Sequence, residues 1–259
     1  MAPTQRRSQT DDSAPPRSSI DAREVEKFAA LAGEWWDPDG KFAPLHRLNP
    51  VRLAFIRDVA SRHFARDTKA IAPFSGLTLI DIGCGGGLVT EAMSRQGFDV
   101  LGIDAAEENI AAASAHAREM AAPPTYRCAP AEEFIPQQRS FDLVLALEIL
   151  EHVADRGDFL ETCSQLIKPG GLIILATLNR TLKSLALAKF GAEYILRWLP
   201  PETHDWNKFV SPEQLTSELQ GLGLTNFETR GIVFDPLAWS WQLSGDTGIN
   251  YMIAAGKAE

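Results

Sequence analysis

Two stretches hold residue types whose spacing could do chemistry. The first is LIDIGCGGG, residues 79–87, where an apolar run ends in Asp81 and gives way to four glycines in five residues. A backbone that bare, directly after a strand and opening a helix, can approach a nucleotide closely. Gly83, Gly85 and Gly87 read G-x-G-x-G, and Leu88 stands where a dinucleotide fingerprint has its third glycine. No lysine follows as it would in a P-loop. A nucleotide ligand without pyrophosphate therefore fits better, with a nicotinamide-dependent oxidoreductase as the rival. Asp104 closes the next strand, where a carboxylate accepts hydrogen bonds from both ribose hydroxyls and repels a 2′-phosphate.

The second stretch is LALEILEHVAD, residues 145–155. Glu148, Glu151 and His152 stand at i, i+3 and i+4, which share one face if the segment is a short helix. It follows a predicted strand, at the carboxyl edge where α/β ligands bind. Two carboxylates and an imidazole could hold Mg²⁺ or another divalent cation. A phenol-type hydroxyl has a pKa near ~10, and chelation to a cation brings it toward neutrality. His152 could equally act alone as a general base, or the turn could serve structure only.

The elements that must position these residues follow from periodicity. A helix is predicted from Glu24, and Asn49-Pro50 reads as an N-cap and first helical residue of another. Strands at 77–83, 99–104, 125–130, 141–148 and 172–178 alternate with helices, which implies a parallel sheet covered on both faces. Ser211 and Pro212 open a capped helix, and segments 227–236 and 250–257 read as two closing strands. The expectation is an α/β, Rossmann-like, seven-stranded, mostly parallel sheet with a terminal antiparallel strand. Residues 1–22, polar and rich in Ser and Pro, read as a disordered tail, leaving 23–259 as one domain with an insert at 180–210.

Composition removes other classes. The formal net charge of −9 makes general nucleic-acid binding a poor reading, because that rests on clustered Lys and Arg. Cys84, Cys128 and Cys163 lie far apart and form no CxxC, so neither a disulfide framework nor a zinc site follows. The sequence has no apolar run long enough to span a bilayer.

DIGCGGG, the GID acid, the AEEF segment and KPGG together resemble the class I S-adenosylmethionine (SAM) methyltransferases over residues 77–178. The resemblance implies that Gly83 and Gly85 lie against the methionine part of SAM and that Asp104 holds its ribose. Ala131 and Glu132 would flank the adenine, and Leu147 would line the pocket. FAALAGEWWDPDGKFAPLHRLNPVRLAFI, TLNRTLKSLALAKFGAEYILRWLP, THDWNKFVSPEQL and INYM are similar, more tightly, to the ubiquinone-biosynthesis O-methyltransferase family. That family methylates polyprenylated catechol-type intermediates at two steps. The resemblance implies Arg52 as the partner of the SAM carboxylate and Glu148, Glu151 and His152 as metal ligands. Leu147 departs from the Met common in the family, a near-isosteric exchange.

Trp35 and Trp36 read as a lid or as core aromatics, and His46 beside Arg47 could be structural. His204, beside Asp205, could deprotonate substrate or make a loop hydrogen bond. His63 and His116 read as ordinary surface residues of helices. The insert at 180–210 is apolar and locally cationic, fit for an anionic membrane surface and an isoprenoid substrate, or else a lid helix packed on the sheet. The expected location is cytoplasmic, peripheral on the inner membrane, or on the matrix side of a mitochondrial one. Two rivals remain beside the oxidoreductase: a C-methyltransferase of quinone synthesis, and a catalytically silent organiser of other quinone-biosynthesis enzymes.

Overall fold

A computed structural model describes residues 19–181, 184, 208–235 and 240–259. Most of the 180–210 insert, His204 included, lies outside the described residues, as do residues 1–18.

The N-terminal part is α1 (Ala22–Ala29), a 3₁₀ turn (Ala32–Glu34) and α2 (Ala43–His63). The alternating core is β1 (Thr78–Ile82), α3 (Leu88–Arg95), β2 (Asp99–Asp104), α4 (Glu107–Ala117) and β3 (Thr125–Cys128), then a 3₁₀ turn (Ala131–Phe134), β4 (Phe141–Leu147), α5 (Arg156–Gln165) and β5 (Ile167–Leu178). The chain closes with α6 (Pro212–Gly221), β6 (Leu224–Asp235), β7 (Ser240–Ser244) and β8 (Asn250–Lys257). The strands form one sheet in the order β3-β2-β1-β4-β5-β8-β6-β7. The first five are parallel, and β8, β6 and β7 join by antiparallel pairing.

Among the described residues the sheet has eight strands, one more than expected. The addition is β7, an edge strand that pairs with β6 as a hairpin, while β8 fits between β5 and β6. Its sequence, SWQLS, follows a Pro and alternates too briefly to stand out. Along the central strands successive residues go to opposite faces. Ile80, Ile103, Val144 and Ile173 meet Phe159 and Cys163 of α5 and Leu215 of α6. Leu79, Val100, Leu143 and Ile174 meet Phe55 and Val59 of α2 and Met93 of α3. Burial on both faces is why these strands are continuously apolar.

Helix α6 begins as expected, with the Ser211 side chain accepting from Gln214 N at 3.2 Å and Pro212 in the first turn. Helix α2 does not. It starts at Ala43, seven residues before Pro50, because Pro44 already supplies a first-turn proline and Pro50 is carried inside the helix. Arg52 therefore stands mid-helix, buried against the sheet edge. The tail boundary shifts as well: residues 19–21 are packed, with Ile20 bridging Val153 and Ala154 N donating to Ser19 O at 2.8 Å.

Candidate active site

The site is built from two loops at the carboxyl ends of neighbouring strands, β1 and β4. In the first, Gly83, Gly85 and Gly87 have φ of +73°, +54° and +87°, the left-handed region that other residues adopt only under strain. Gly83 N and Cys84 N both donate to Ile103 O, at 2.8 and 2.9 Å, which folds the loop onto β2. Asp104 then accepts from Gly85 N and Ala106 N, each at 2.9 Å, and from Asn109 Nδ2 at 3.1 Å. Burial pushes the Asp104 carboxyl upward, and these donors pull it back. Beneath the loop, Asp81 accepts from Thr90 Oγ1 at 2.6 Å, and burial raises its pKa to about 6.

The two adjacent tryptophans cover this loop. A Cβ on Gly85 or Gly86 would strike the Trp35 indole. Trp35 Nε1 donates to Asn109 Oδ1 at 2.8 Å, and its ring stacks on Phe42 with centroids 3.8 Å apart. Trp36 Nε1 donates to Gly86 O at 2.9 Å, and His46 Nε2 bonds Trp35 O at 2.9 Å. His116 is not an ordinary surface residue. Its ring stacks flat on Trp36 and its Nδ1 lies 2.7 Å from the buried Glu91 carboxylate. His63 bonds Gly170 O on the far side of the sheet.

The second loop, residues 148–153, is a turn and not the short helix expected. Glu148 has φ of +54°. Its N–H continues the β4–β5 pairing by donating to Ala176 O at 2.9 Å, so the chain turns sharply before any helix can start. The i, i+3, i+4 face therefore does not exist. Each side chain has its own partner: Glu148 Oε1 accepts from Arg52 Nη2 at 2.5 Å, and Glu151 Oε2 accepts from Thr177 Oγ1 at 3.0 Å. His152 Nδ1 lies 2.8 Å from Glu24 Oε2, with Phe28 edge-on to its ring. Burial, then the charge of Glu148, lifts Glu151 well above the usual carboxylate range. Burial lowers the pKa of His152 against the opposing pull of Glu24. Among the described residues, no three acidic, imidazole or thiol groups stand close enough together to hold a metal ion.

One cavity of about 1320 Å³ joins the two loops. Arg52, Gly83, Gly85, Asp104, Ala131, Leu147, Glu148, Glu151 and His152 all line it. Glu132 does not. Its Oε1 accepts from Ser19 N at 2.8 Å, so it holds the N-terminal segment, and of the expected adenine-flanking pair only Ala131 reaches the cavity. Among the described residues, two buried polar atoms of the lining have no partner, Arg52 Nε and Asn250 Oδ1. Sequence reasoning missed Glu24, Asn109 and Asn250. Glu24 meets His152 across 128 residues, which no local pattern shows. Asn109 carries a weak signal, five residues after Asp104 and facing it from the next helix.

A family model described as a methyltransferase domain matches residues 53–229. A ubiquinone biosynthesis O-methyltransferase of Caulobacter vibrioides is 55% identical over 95% of this chain and 98% of its own length. A protein of the same name from Rhodopseudomonas palustris (strain HaA2) is 50% identical over 96% of this chain and 98% of its own. Among solved structures, the magnesium protoporphyrin IX methyltransferase of Synechocystis PCC 6803 with bound SAH has a TM-score of 0.60 at 16% identity, covering 92% of this chain and 95% of that one. That likeness shows the fold of the sheet and its helices. A methyltransferase domain over most of the chain, with near-full-length relatives at half identity or more, places this chain in the ubiquinone biosynthesis O-methyltransferase family.

Proposed function

We propose that the described residues carry methyl transfer from SAM to a hydroxyl of polyprenylated catechol intermediates, at both O-methylation steps of ubiquinone synthesis. The reaction class follows from family membership. The assignment of residues rests on one observation: a single cavity joins Gly83, Gly85 and Asp104 to Glu148, Glu151 and His152.

The residues fit SAM. Gly83 and Gly85 bring backbone to the cavity wall, Asp104 has a carboxylate at the ribose position, and Arg52 keeps an unpartnered Nε–H for a carboxylate ligand. Bound SAM supplies an electrophilic methyl: the acceptor oxygen bonds to the methyl carbon, the carbon–sulfur bond breaks, S-adenosylhomocysteine leaves, and the hydroxyl proton goes to a base. Where no cation occupies it, His152 can take that proton. Its lowered pKa keeps the imidazole neutral near pH 7, and the Glu24 carboxylate at Nδ1 stabilises the charge that forms. His204 remains a second candidate for the base. Asn250 Oδ1 offers a buried acceptor to a substrate hydroxyl.

A divalent cation, Mg²⁺ in the first instance, belongs to the same proposal. Glu148, Glu151 and His152 have the donor chemistry to hold one, and it would lower the pKa of an acceptor hydroxyl. Because Arg52, Thr177 and Glu24 now hold those side chains, binding requires an exchange of partners. The insert at 180–210, apolar and locally cationic in sequence, supports association with an anionic membrane surface. No helix among the described residues is long and apolar enough to cross a membrane. Flotation with anionic vesicles tests the surface association, and protein left at the bottom of the gradient removes it.

The deciding experiment is transfer of labelled methyl from SAM to a short-chain catechol with Mg²⁺ and then with EDTA. Product lost on chelation and restored by the cation supports the O-methyl transfer and the cation, with His204 and not a ligated His152 as the base. Product indifferent to EDTA keeps the O-methyl transfer and drops the cation. No product under either condition removes the catechol as acceptor.

A further inference from the structure

The cavity does not stop where a nucleotide and a transferred methyl end. It follows one edge of the sheet from β2 through β1 and β4, then continues past β5, β8 and β6 to β7. The antiparallel strands serve this edge too. The start of β8 lies beside the end of β5, Leu178 against Asn250, and the end of β6 lies beside the start of β7, Asp235 against Ser240. At about 4.8 Å per strand spacing, six spacings make a run of roughly 30 Å.

Its two halves differ in chemistry. The half under β2, β1 and β4 carries Asp104, Arg52 and the 148–152 turn. Beyond β4 the wall is mostly apolar, formed by Leu178, Ile249, Ile232, Phe234 and Trp241, with Asn250 beside Leu178 as a polar exception. Phe234 is paired with Trp241 across the hairpin, their ring centroids 5.4 Å apart, and Ile232 lies on the same face two residues earlier. Two of the polar residues at this end are engaged locally: Asp246 accepts from Gly248 N, and Ser184 bonds Thr181. Burial falls along the hairpin from Ile232 at 2% exposed to Phe234 at 40%. The apolar wall therefore runs from the interior out to the protein surface.

We propose that this end of the cavity is a subsite for an aliphatic chain carried by the acceptor, leading it out past Phe234 and Trp241. The proposal rests on the O-methyl transfer reading for the acceptor's head and adds where its chain goes. The extra strand β7 is then a functional wall, since Trp241 completes the channel. A chain that continues from a ring held at the 148–152 turn enters the apolar half directly, and burying each methylene there strengthens binding about fourfold.

The test is a series of catechols without a chain and with linear chains of one to ten carbons. Turnover and calorimetric binding to the S-adenosylhomocysteine-loaded full-length protein are both read. Binding should tighten by about fourfold per carbon over the first several carbons. Phe234→Gln should flatten that dependence. Leu243→Gln, on the same hairpin face but outside the cavity lining, should leave it intact, and melting temperatures check that both variants fold. Binding independent of chain length, or equal flattening by both variants, overturns the subsite. That result also covers the channel being filled by another part of the chain or by a second copy. Chain-dependent binding without methylation of any catechol keeps the subsite and overturns the reaction reading instead.

Discussion

The β1 loop and the β4 turn sit side by side at one edge of the sheet and solve the same problem with opposite materials. Both must turn sharply at a strand end and face a ligand. The β1 loop does so with glycines, which adopt positive φ at little cost and leave room for Ile149, Trp35 and Tyr126 to pack directly on the backbone. The β4 turn does so with Glu148 at positive φ and three ionisable side chains, each locked by a partner from elsewhere in the chain. Each loop also rests on one buried acid held by a threonine, Asp81 on Thr90 and Glu151 on Thr177. The first loop is thus a surface shaped by what is absent. The second is an electrostatic assembly that fails when one member goes.

The largest effect should come from taking a member out of the assembly. Arg52→Leu leaves Glu148 beside the buried Glu151 with no opposing charge, which should cost about 3–5 kcal/mol. Adding Glu148→Gly to that variant removes the unpaired charge and the positive-φ strain together, so it should recover much of the loss. Chemical denaturation of the single and double variants measures this. A double variant no more stable than Arg52→Leu would mean the turn is not held by that pair.

In the glycine loop the corresponding change adds matter. Gly85→Val places a branched side chain at φ of +54° and drives it into the Trp35 indole. Displacing the loop by about an ångström should weaken S-adenosylhomocysteine binding by roughly 100-fold, with a smaller loss of stability. Unchanged affinity by calorimetry would show that the cofactor does not approach this backbone.

The contrast also explains what could be read in the sequence. The glycine loop was legible because its signal is local: residue types and spacing fix the backbone, and Asp104 lies one strand away. The alternating strands were legible for the same reason. The β4 turn was only half legible. Its residue types announced ionic chemistry, but helical spacing suggested a shared face that the turn does not have. Its real partners are Arg52 and Glu24, 96 and 128 residues distant, and no periodicity encodes such pairs. The partner of Glu132 was hidden likewise, because it is the backbone of Ser19 in a segment whose composition reads as tail. Strand β7 was lost because five residues after a proline give too little alternation to recognise.

The smallest predicted effect tests whether the buried acid under the glycine loop behaves as an isolated group. Asp81 has a folded pKa of about 6 against an ordinary value of 3.8, because burial disfavours its charged form more than the Thr90 hydroxyl favours it. A raised acid binds its proton more tightly when folded, so its contribution to stability is present at low pH and is lost as pH rises from about 4 to about 6. Between pH 5 and pH 7 the parent protein should lose about 1 kcal/mol through this one group, or about 2–4 °C in melting temperature. Asp81→Asn cannot titrate, so its pH slope over that interval should be shallower by that amount. An unchanged slope would mean that Asp81 is charged at both pH values, in which case its negative charge stands permanently under the cofactor loop and would favour the sulfonium of SAM over the neutral product.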